Sequence, residues 1–191
     1  MNVVRICYRI GVEISIATSV RRAQPSDTLA LTELVNRAYA IEASFVDGQR
    51  TTVDEIGKLI RSGGFLVLEY AGGIAAAVLF QAPGEHSGPS PSHAYFGMLA
   101  VAPELQRLGL GRRLVQVAEA MAEATGAIGM SLRVVNLREE LSRWYRSLGY
   151  REVGTAPYHA RPTKRPCHFV EMAKPLTPAA PHYASHDLGA A

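Results

Sequence analysis

Cysteine and long apolar runs are scarce in this sequence, and each scarcity excludes a class of protein. The two cysteines, Cys7 and Cys167, have no CxxC or Cys/His spacing around them, so neither a disulfide framework nor a zinc site is predicted. No stretch approaches the roughly 20 apolar residues that cross a bilayer, and the start of the chain lacks the apolar run of a secretory signal. We therefore expect a reduced, cytoplasmic protein with no metal and no membrane partner.

The chain also has only a small excess of charge of one sign. The chain has 20 basic and 17 acidic residues, a formal net charge of +3. The basic residues are scattered, and no Lys/Arg run with interleaved aromatic residues occurs, so no nucleic-acid partner is predicted. At 191 residues with 48% hydrophobic side chains, the chain can bury one sizeable core, and one domain is expected.

The two ends of the chain differ from its middle in composition. Residues 1–13 contain cationic side chains without a secretory-length apolar run and are interpreted as a tail. Residues 176–191 are rich in Ala, Pro and His and show no period, which predicts disorder. This leaves residues 14–175 as the folded domain.

The first part of this domain predicts a strand followed by two helices. Residues 14–20 have strand composition, and Ser26 and Asp27 precede a run of apolar residues at helical spacing, as N-terminal caps do. A second helix is indicated by the capping box Thr52-x-x-Glu55.

The remainder of the domain alternates strands with helices. Two β-rich runs, 65–70 and 74–81, are joined by Ala71-Gly72-Gly73, which predicts an antiparallel hairpin. The later expected elements are strand 94–101, helix 109–125, strand 130–135, helix 137–148 and strands 150–154 and 168–174. This order predicts an α/β fold with helices on both faces of a sheet.

The segment from Gln106 to Gly111 carries the clearest chemical signal. A predicted strand runs into Gln106-x-x-Gly109-x-Gly111 and then directly into a helix, which directs unpaired backbone N–H groups and the positive end of the helix dipole at one place. Glycine suits such a loop because a Cβ atom would keep phosphate oxygens away from the backbone. The alternative is an ordinary loop with a glycine helix start. The flanking strand and a second motif downstream favour a pyrophosphate site.

Two common phosphate-binding motifs do not fit this loop. A P-loop ends in Gly-Lys-Ser/Thr, where this chain has Gly111-Arg112-Arg113. The dinucleotide fingerprint needs a third glycine, where Leu114 stands. Neither motif is therefore predicted.

A third form, Gln-x-x-Gly-x-Gly directly after a strand, resembles motif A of the GNAT N-acetyltransferase superfamily. Downstream, Asn136…Trp144-Tyr145-x-x-x-Gly149-Tyr150 resembles motif B of the same superfamily in sequence and spacing. The resemblance extends over roughly residues 14–175.

The resemblance implies a fold, a co-substrate and a set of binding residues. The implied fold is α/β, with a mixed, mainly antiparallel sheet of about seven strands, a central parallel pair that splays apart, and helices on both faces. The co-substrate is acetyl-CoA, whose pantetheine arm lies along the strand before the loop and whose pyrophosphate lies on the loop. The residues implied for its binding are Leu99, Ala100, Val101, Gln106, Arg107, Leu108, Gly109, Leu110, Gly111, Arg112 and Asn136.

Two residues of motif B also have a purely structural interpretation. Asn136-x-x-Glu139 is a capping box, which would satisfy Asn136 without a ligand, and both roles can hold together. Tyr145 lies on the apolar stripe of its helix, as a core residue would. The resemblance instead places its phenol where the departing thiolate of coenzyme A is protonated. Cys167 has no His/Asp pattern that would support a nucleophile.

The base that deprotonates the acceptor is left open among three candidates. Histone acetyltransferases of this superfamily carry a glutamate on the central strand, and the matching position here is Tyr95. The predicted strand places His93 and an open space at Gly97 on the same face, and the ordinary pKa of His93 suits a base at neutral pH. The alternative is that His93 only begins an exposed strand. Glu42, or a water chain through Tyr95, is the other source of a base.

The resemblance implies an N-acetyltransferase that moves the acetyl group directly to an amine of a small-molecule or peptidic acceptor. Glu42 and Asp47 favour a cationic acceptor, whereas the basic loop 159–168 favours the opposite, so the acceptor class stays open, as does a homodimer. The rival hypothesis is a non-catalytic acyl-CoA-binding regulatory domain, and Tyr145 argues against it.

Overall fold

An eight-stranded mixed sheet runs through the computed structural model, which describes residues 2–7, 13–85 and 88–177, with the backbone alone over 2–7 and 13–17. The strands are β1 (Asn2–Cys7), β2 (Glu13–Arg22), β3 (Phe65–Tyr70), β4 (Gly73–Gln81), β5 (His93–Val101), β6 (Gly129–Val135), β7 (Arg151–Pro157) and β8 (His168–Pro175). Their order in the sheet is β1-β2-β3-β4-β5-β6-β8-β7. Only β5 and β6 are parallel neighbours, and every other neighbouring pair is antiparallel.

A mixed, mainly antiparallel sheet with one central parallel pair is therefore confirmed. Strands β2 to β8 are the expected seven. β1 adds an edge strand, paired with β2, within the segment 1–13 that was interpreted as a tail. Of the segment 176–191, residues 178–191 lie outside the described residues.

Four helices cover the two faces of the sheet, as predicted. They are α1 (Thr28–Ala38), α2 (Val53–Arg61), α3 (Leu110–Ala124) and α4 (Glu139–Ser147). On one face, α1 and α2 bury Leu31 and Ile56, and on the other face α3 and α4 bury Leu114 and Tyr145. Within the described ranges, no helix combines the length and the apolarity needed to cross a membrane.

β3 is apolar on both faces because helices cover both sides of the sheet centre. Leu66 and Leu68 point into the core beneath α3, whereas Phe65 and Val67 point towards α1 and α2. Successive side chains of a strand face opposite sides, so a doubly covered strand needs an unbroken apolar run. The centre of the sheet is thus a well-packed platform for the strands beside it.

The parallel pair β5 and β6 is joined only at its beginning. The ladder runs from His93 opposite Gly129 to Tyr95 opposite Ser131. Beyond it, β5 pairs only with β4 and β6 pairs only with β8. Residues 96–101 and 132–135 therefore diverge and leave a wedge between two unpaired strand edges, which is the splayed pair that the resemblance implied.

The start of α4 differs from the sequence-based expectation. The N-cap residue of α4 is Arg138, and Asn136 does not cap the helix. Instead, Asn136 Oδ1 accepts a hydrogen bond from the backbone N–H of His168 at 2.9 Å. The asparagine side chain ties the end of β6 to the start of β8, so the capping-box interpretation is wrong.

Candidate active site

The wedge between β5 and β6 opens into a cavity of about 540 Å³. At one end, which we call the glycine end, it is lined by Gln106, Arg107, Gly109, Leu110, Gly111 and Arg112. At the other, the tyrosine end, it is lined by Tyr39, Glu42, Arg50, Tyr95, Arg138 and Tyr158. The diverging parts of β5 and β6 form the walls between the two ends.

The glycine end presents backbone N–H groups to the cavity. Arg107 and Gly109 have left-handed backbone angles, with φ of +67° and +82°, and such alternation folds a loop into an anion-binding concavity. The amide of Arg113 is bonded within the helix, to Gly109 O at 3.0 Å. The preceding amides, 110–112, stand at the N-terminus of α3, where a helix has no acceptor for them. A phosphate group fits this end of the cavity.

Space at Gly111 is open towards the cavity. A Cβ atom there would lie 3.4 Å from Val101 Cγ2, an ordinary contact, and a larger side chain would extend into the cavity. Two residues implied for the binding set, Leu108 and Ala100, have side chains that pack into the core and do not line the cavity. They can act only through their backbone groups.

β5 is bent where the cavity begins. The register between β4 and β5 shifts at residues 77–79, and Met98 on β5 has a φ of +47°. A bulge of this kind bends a strand and increases its local twist. The edge of β5 beside Leu99 and Val101, which line the cavity, therefore turns away from β6 with its backbone groups unpaired by that strand.

Tyr145 is packed in the core and also reaches the cavity. Its ring contacts Trp144, Phe96 and Tyr150, with centroid distances of 4.8, 5.8 and 5.9 Å. No hydrogen-bond partner for its hydroxyl occurs among the described residues, although the side chain is only 6% exposed and lines the cavity. Burial raises the pKa of Tyr145 well above its ordinary value, so the hydroxyl is protonated at neutral pH.

Tyr150 shows how a structural tyrosine in the same cluster is satisfied. Its hydroxyl donates to Glu119 Oε1 at 2.8 Å, and Glu119 also receives Lys174 Nζ at 2.9 Å. Buried tyrosines generally find such a partner. The hydroxyl of Tyr145 therefore differs from that of Tyr150 in having no hydrogen-bond partner among the described residues.

Glu42 and Arg138 form a buried ion pair at the tyrosine end. Arg138 Nη1 donates to Glu42 Oε1 at 3.3 Å, and both side chains are largely buried. Burial raises the pKa of Glu42, and the charges of Arg138 and Arg50 oppose that rise. Asp47, the other carboxylate expected here, is exposed, lies 3.5 Å from Lys164 and does not line the cavity.

Tyr95 lies in the cavity wall, and its ring fills the space expected to be open at Gly97. A Cβ atom on Gly97 would meet the ring and the hydroxyl of Tyr95 at 3.1 and 3.2 Å. Burial raises the pKa of Tyr95. His93 does not line the cavity, since it stands at the start of β5 with its ring over Gly129, where an added Cβ would lie 2.7 Å away. The structure thus separates His93 from the site.

Two loops close over the tyrosine end. The segment 43–47 pairs with 162–164 through a bridge between Val46 and Thr163 and a bond from Lys164 N to Phe45 O at 3.0 Å. The side chain of Arg161 donates to the carbonyl of Arg50. The segment that contains Glu42 and Asp47 and the basic loop 159–168 are therefore brought together as one wall, with Tyr158 and Ala160 facing the cavity.

Sequence reasoning missed three arginines in the cavity lining: Arg50, Arg133 and Arg138. Each is one of 20 basic residues in the chain, and no local spacing distinguishes it. Arg133 lies on β6 and is held by Glu171 of β8 at 2.7 Å. No group of three or more potential metal ligands lies among the described residues.

A family model described as "Acetyltransferase (GNAT) domain" matches residues 61–152, which span β3 to α4 and so include both walls of the wedge and the glycine end. No curated protein matches the chain significantly. The matched elements build the cavity, so the class defined by fold and site is that of an acetyltransferase. Residues 61–152 thus match a GNAT acetyltransferase domain, the superfamily that the two motifs predicted.

Solved structures share this fold over nearly their whole length. The yncA protein of Salmonella typhimurium, solved with its cofactor acetyl-CoA, is 21% identical with a TM-score of 0.69, over 88% of this chain and 99% of its own. A ribosomal-protein alanine N-acetyltransferase of Escherichia coli is 20% identical with a TM-score of 0.65, over 87% and 98%. Naa20 of Chaetomium thermophilum, in complex with a bisubstrate analogue, is 25% identical with a TM-score of 0.64, over 83% and 86%.

Proposed function

We propose that this chain is an N-acetyltransferase that transfers the acetyl group of acetyl-CoA directly to the amine of a small molecule or peptide. The observation that carries the proposal is the continuous cavity between the glycine end and the unpaired hydroxyl of Tyr145. An anion site at a helix N-terminus suits the pyrophosphate, and the unpaired edge of β5 suits the amide-bearing pantetheine arm. A cytoplasmic location belongs to the same proposal, supported by the low cysteine content.

The residues proposed for acetyl-CoA act chiefly through their backbone. Amides of the loop and of the first turn of α3, from Arg107 to Arg112, hold the pyrophosphate. Backbone groups of 99–101 hold the pantetheine arm and polarise the thioester carbonyl. Asn136 contributes less than the resemblance implied, because its side-chain oxygen is already bonded to His168 and the residue does not line the cavity.

Tyr145 is proposed to donate a proton to the thiolate as coenzyme A leaves. Its hydroxyl is protonated at neutral pH and has no competing protein partner among the described residues. Those two properties are what a proton donor at this place needs.

Glu42 is proposed to accept the proton from the acceptor amine, directly or through water. An alkyl amine with a pKa near ~10.4 is neutral in only roughly one part in a few thousand at pH 7, so a proton acceptor is required. Among the described residues that line the cavity, Glu42 is the single carboxylate, and burial favours its protonation. His93 is not proposed as the base because it lies outside the cavity. Tyr95 lines the path from Glu42 and can carry the water chain.

The proposal is tested by following free coenzyme A over a panel of amines at a fixed acetyl-CoA concentration. We expect release of coenzyme A that depends on the amine, with N-acetylated product identified by mass spectrometry. Tight acetyl-CoA binding without turnover on any amine would instead support a non-catalytic acyl-CoA-binding domain.

A further inference from the structure

Arg50 differs from Arg133 and Arg138, the other two arginines of the cavity outside its glycine end, because no carboxylate neutralises it. Arg133 is paired with Glu171, and Arg138 is paired with Glu42 and Glu140. Among the described residues, no Asp or Glu oxygen lies within 4 Å of the Arg50 side chain. The tyrosine end therefore contains a guanidinium group whose hydrogen-bonding capacity is left for a ligand.

The Arg50 side chain is held in place by its surroundings. Its guanidinium carbon lies 5.2 Å from the centre of the Tyr39 ring, a cation–π contact, and its carbonyl is held by Arg161. Burial raises the pKa of Tyr158, and the nearby charge of Arg50 opposes that rise, as it does for Glu42. The guanidinium thus stands within electrostatic reach of both sides of the tyrosine end.

The position of Arg50 separates it from the phosphates of acetyl-CoA. Arg50 lies over the ring of Tyr39 at the tyrosine end, whereas the glycine end begins beyond Val101, the last residue of β5. The two groups line opposite ends of the cavity, so we assign an anion bound by Arg50 to the acceptor.

We propose that the acceptor is a small amine that carries a carboxylate, as an amino acid does, and that Arg50 binds this carboxylate while the amine faces Tyr145. The inference rests on the proposed function. The planar guanidinium matches a carboxylate through two parallel N–H donors, which fixes orientation as well as position. Glu42 is already paired with Arg138, so the described part of the lining offers no free carboxylate to a purely cationic acceptor.

The experiment compares matched acceptors with the full-length protein. Amino acids and their carboxamides, which retain the amine and the side chain but lack the negative charge, are assayed for coenzyme A release at saturating acetyl-CoA. We expect kcat/KM to be roughly ten- to a hundredfold higher for the acid of each pair. Because this comparison uses the parent protein, it does not depend on how a variant folds.

Variants locate the preference at Arg50. Arg50→Gln is expected to raise KM for the acids by a similar factor, to bring the kcat/KM ratio of each acid to its carboxamide towards one, and to leave the Kd of acetyl-CoA unchanged. Arg50→Lys should retain part of the preference. Arg37→Gln, in an exposed pair with Glu104 outside the cavity, is the control and should behave as the parent.

The outcomes separate this inference from the proposed function. Carboxamides or plain amines acetylated as efficiently as the acids, or an acid preference that survives in Arg50→Gln, would overturn the role of Arg50 and leave the N-acetyltransferase proposal standing. Absence of turnover on the acids and the carboxamides alone would overturn the role of Arg50, and absence of turnover on every amine of the wider panel, in a protein that binds acetyl-CoA, would overturn both.

Discussion

Two tyrosines of α4 and its C-terminal turn, Tyr145 and Tyr150, are buried in one aromatic cluster but differ in their hydroxyl groups. Tyr150 donates to Glu119, and Tyr145 has no protein partner among the described residues. We expect Tyr145→Phe to leave the Kd of acetyl-CoA nearly unchanged and to lower kcat by up to ~10²–10⁴-fold, because only the proton donor is removed.

Tyr150→Phe is the matched control for this prediction. It removes a hydroxyl that donates a hydrogen bond to Glu119. The midpoint temperature of thermal unfolding should therefore fall, while kcat is largely retained. Equal kcat in the parent and Tyr145→Phe, or unfolding of that variant, would show that Tyr145 is a core residue alone.

Glu42 should determine the low-pH behaviour of the enzyme. Because its pKa is raised in the folded protein, kcat/KM is expected to fall on the acid side at a pH above the ordinary carboxyl pKa of about 4.3. The profile of Glu42→Gln should be lowered throughout and lack that acidic limb. His93→Gln is the control, since His93 lies outside the cavity. Loss of activity in His93→Gln with a fully active Glu42→Gln would reverse the assignment.

The same pH series tests Tyr145 on the alkaline side. Burial keeps its hydroxyl protonated above the ordinary tyrosine pKa of about 10, so ionisation of Tyr145 should not reduce kcat below that pH. An alkaline limb near pH 8 that disappears in Tyr145→Phe would contradict this.

At the scale of the element, the first turn of α3 should decide whether acetyl-CoA binds. Gly111→Ala adds a methyl group that meets Val101 at an ordinary distance, so the fold and much of the affinity should be retained. Gly111→Val projects further into the cavity, and we expect it to abolish measurable acetyl-CoA binding by calorimetry. Circular dichroism shows whether each variant is folded. Unchanged affinity in a folded Gly111→Val protein would remove the phosphate site from this loop.

The splaying of β5 and β6 explains how the first turn of α3 can reach a ligand that lies in the cavity. The bulge at Met98 turns β5 away from β6, so the cavity reaches the N-terminus of α3 without a break in the sheet core. A fully paired β5–β6 ladder would close the wedge and leave the amides of α3 facing solvent alone.

At the scale of the whole molecule, an ion-pair network joins β2, β3 and the start of α1. The Asp27 carboxylate accepts hydrogen bonds from Arg21 Nη1 at 2.7 Å and from the backbone N–H of Gln24 at 2.7 Å. Arg21 Nε also donates to Glu69 Oε1 at 2.8 Å. These hydrogen bonds lower the pKa of Asp27, with Arg21 as the main cause. A lowered carboxyl pKa contributes stability that is present above its unfolded value, about 3.9, and is lost as pH falls through the folded value.

We therefore expect Asp27→Asn to lower the free energy of unfolding by roughly 1–2 kcal/mol at pH 7, and the difference from the parent to shrink below about pH 4. Urea titrations at several pH values measure it. Glu104→Gln, in an exposed pair with Arg37, should leave stability near that of the parent. A parent–variant difference that stays constant down to pH 2 would exclude the ionised carboxylate as its source.

The class of this protein could be read from consecutive residues. Gln106-x-x-Gly109-x-Gly111 predicted the loop that leads from β5 into α3, because a positive φ angle such as that of Gly109 is a local requirement that glycine meets most easily. The capping box of Thr52 and Glu55 was likewise predicted and is present.

The tertiary structure decided which side chains line the tyrosine end. Arg50, Glu42 and Arg138 come from separate segments, and their pairing depends on which loops the sheet order brings together. His93 matched the expected strand face but stands where β5 and β6 are still paired, before the wedge opens. Local spacing encodes backbone geometry, whereas the position of one side chain relative to a distant one follows only from packing, which is why the lining of the tyrosine end could be identified only from the fold.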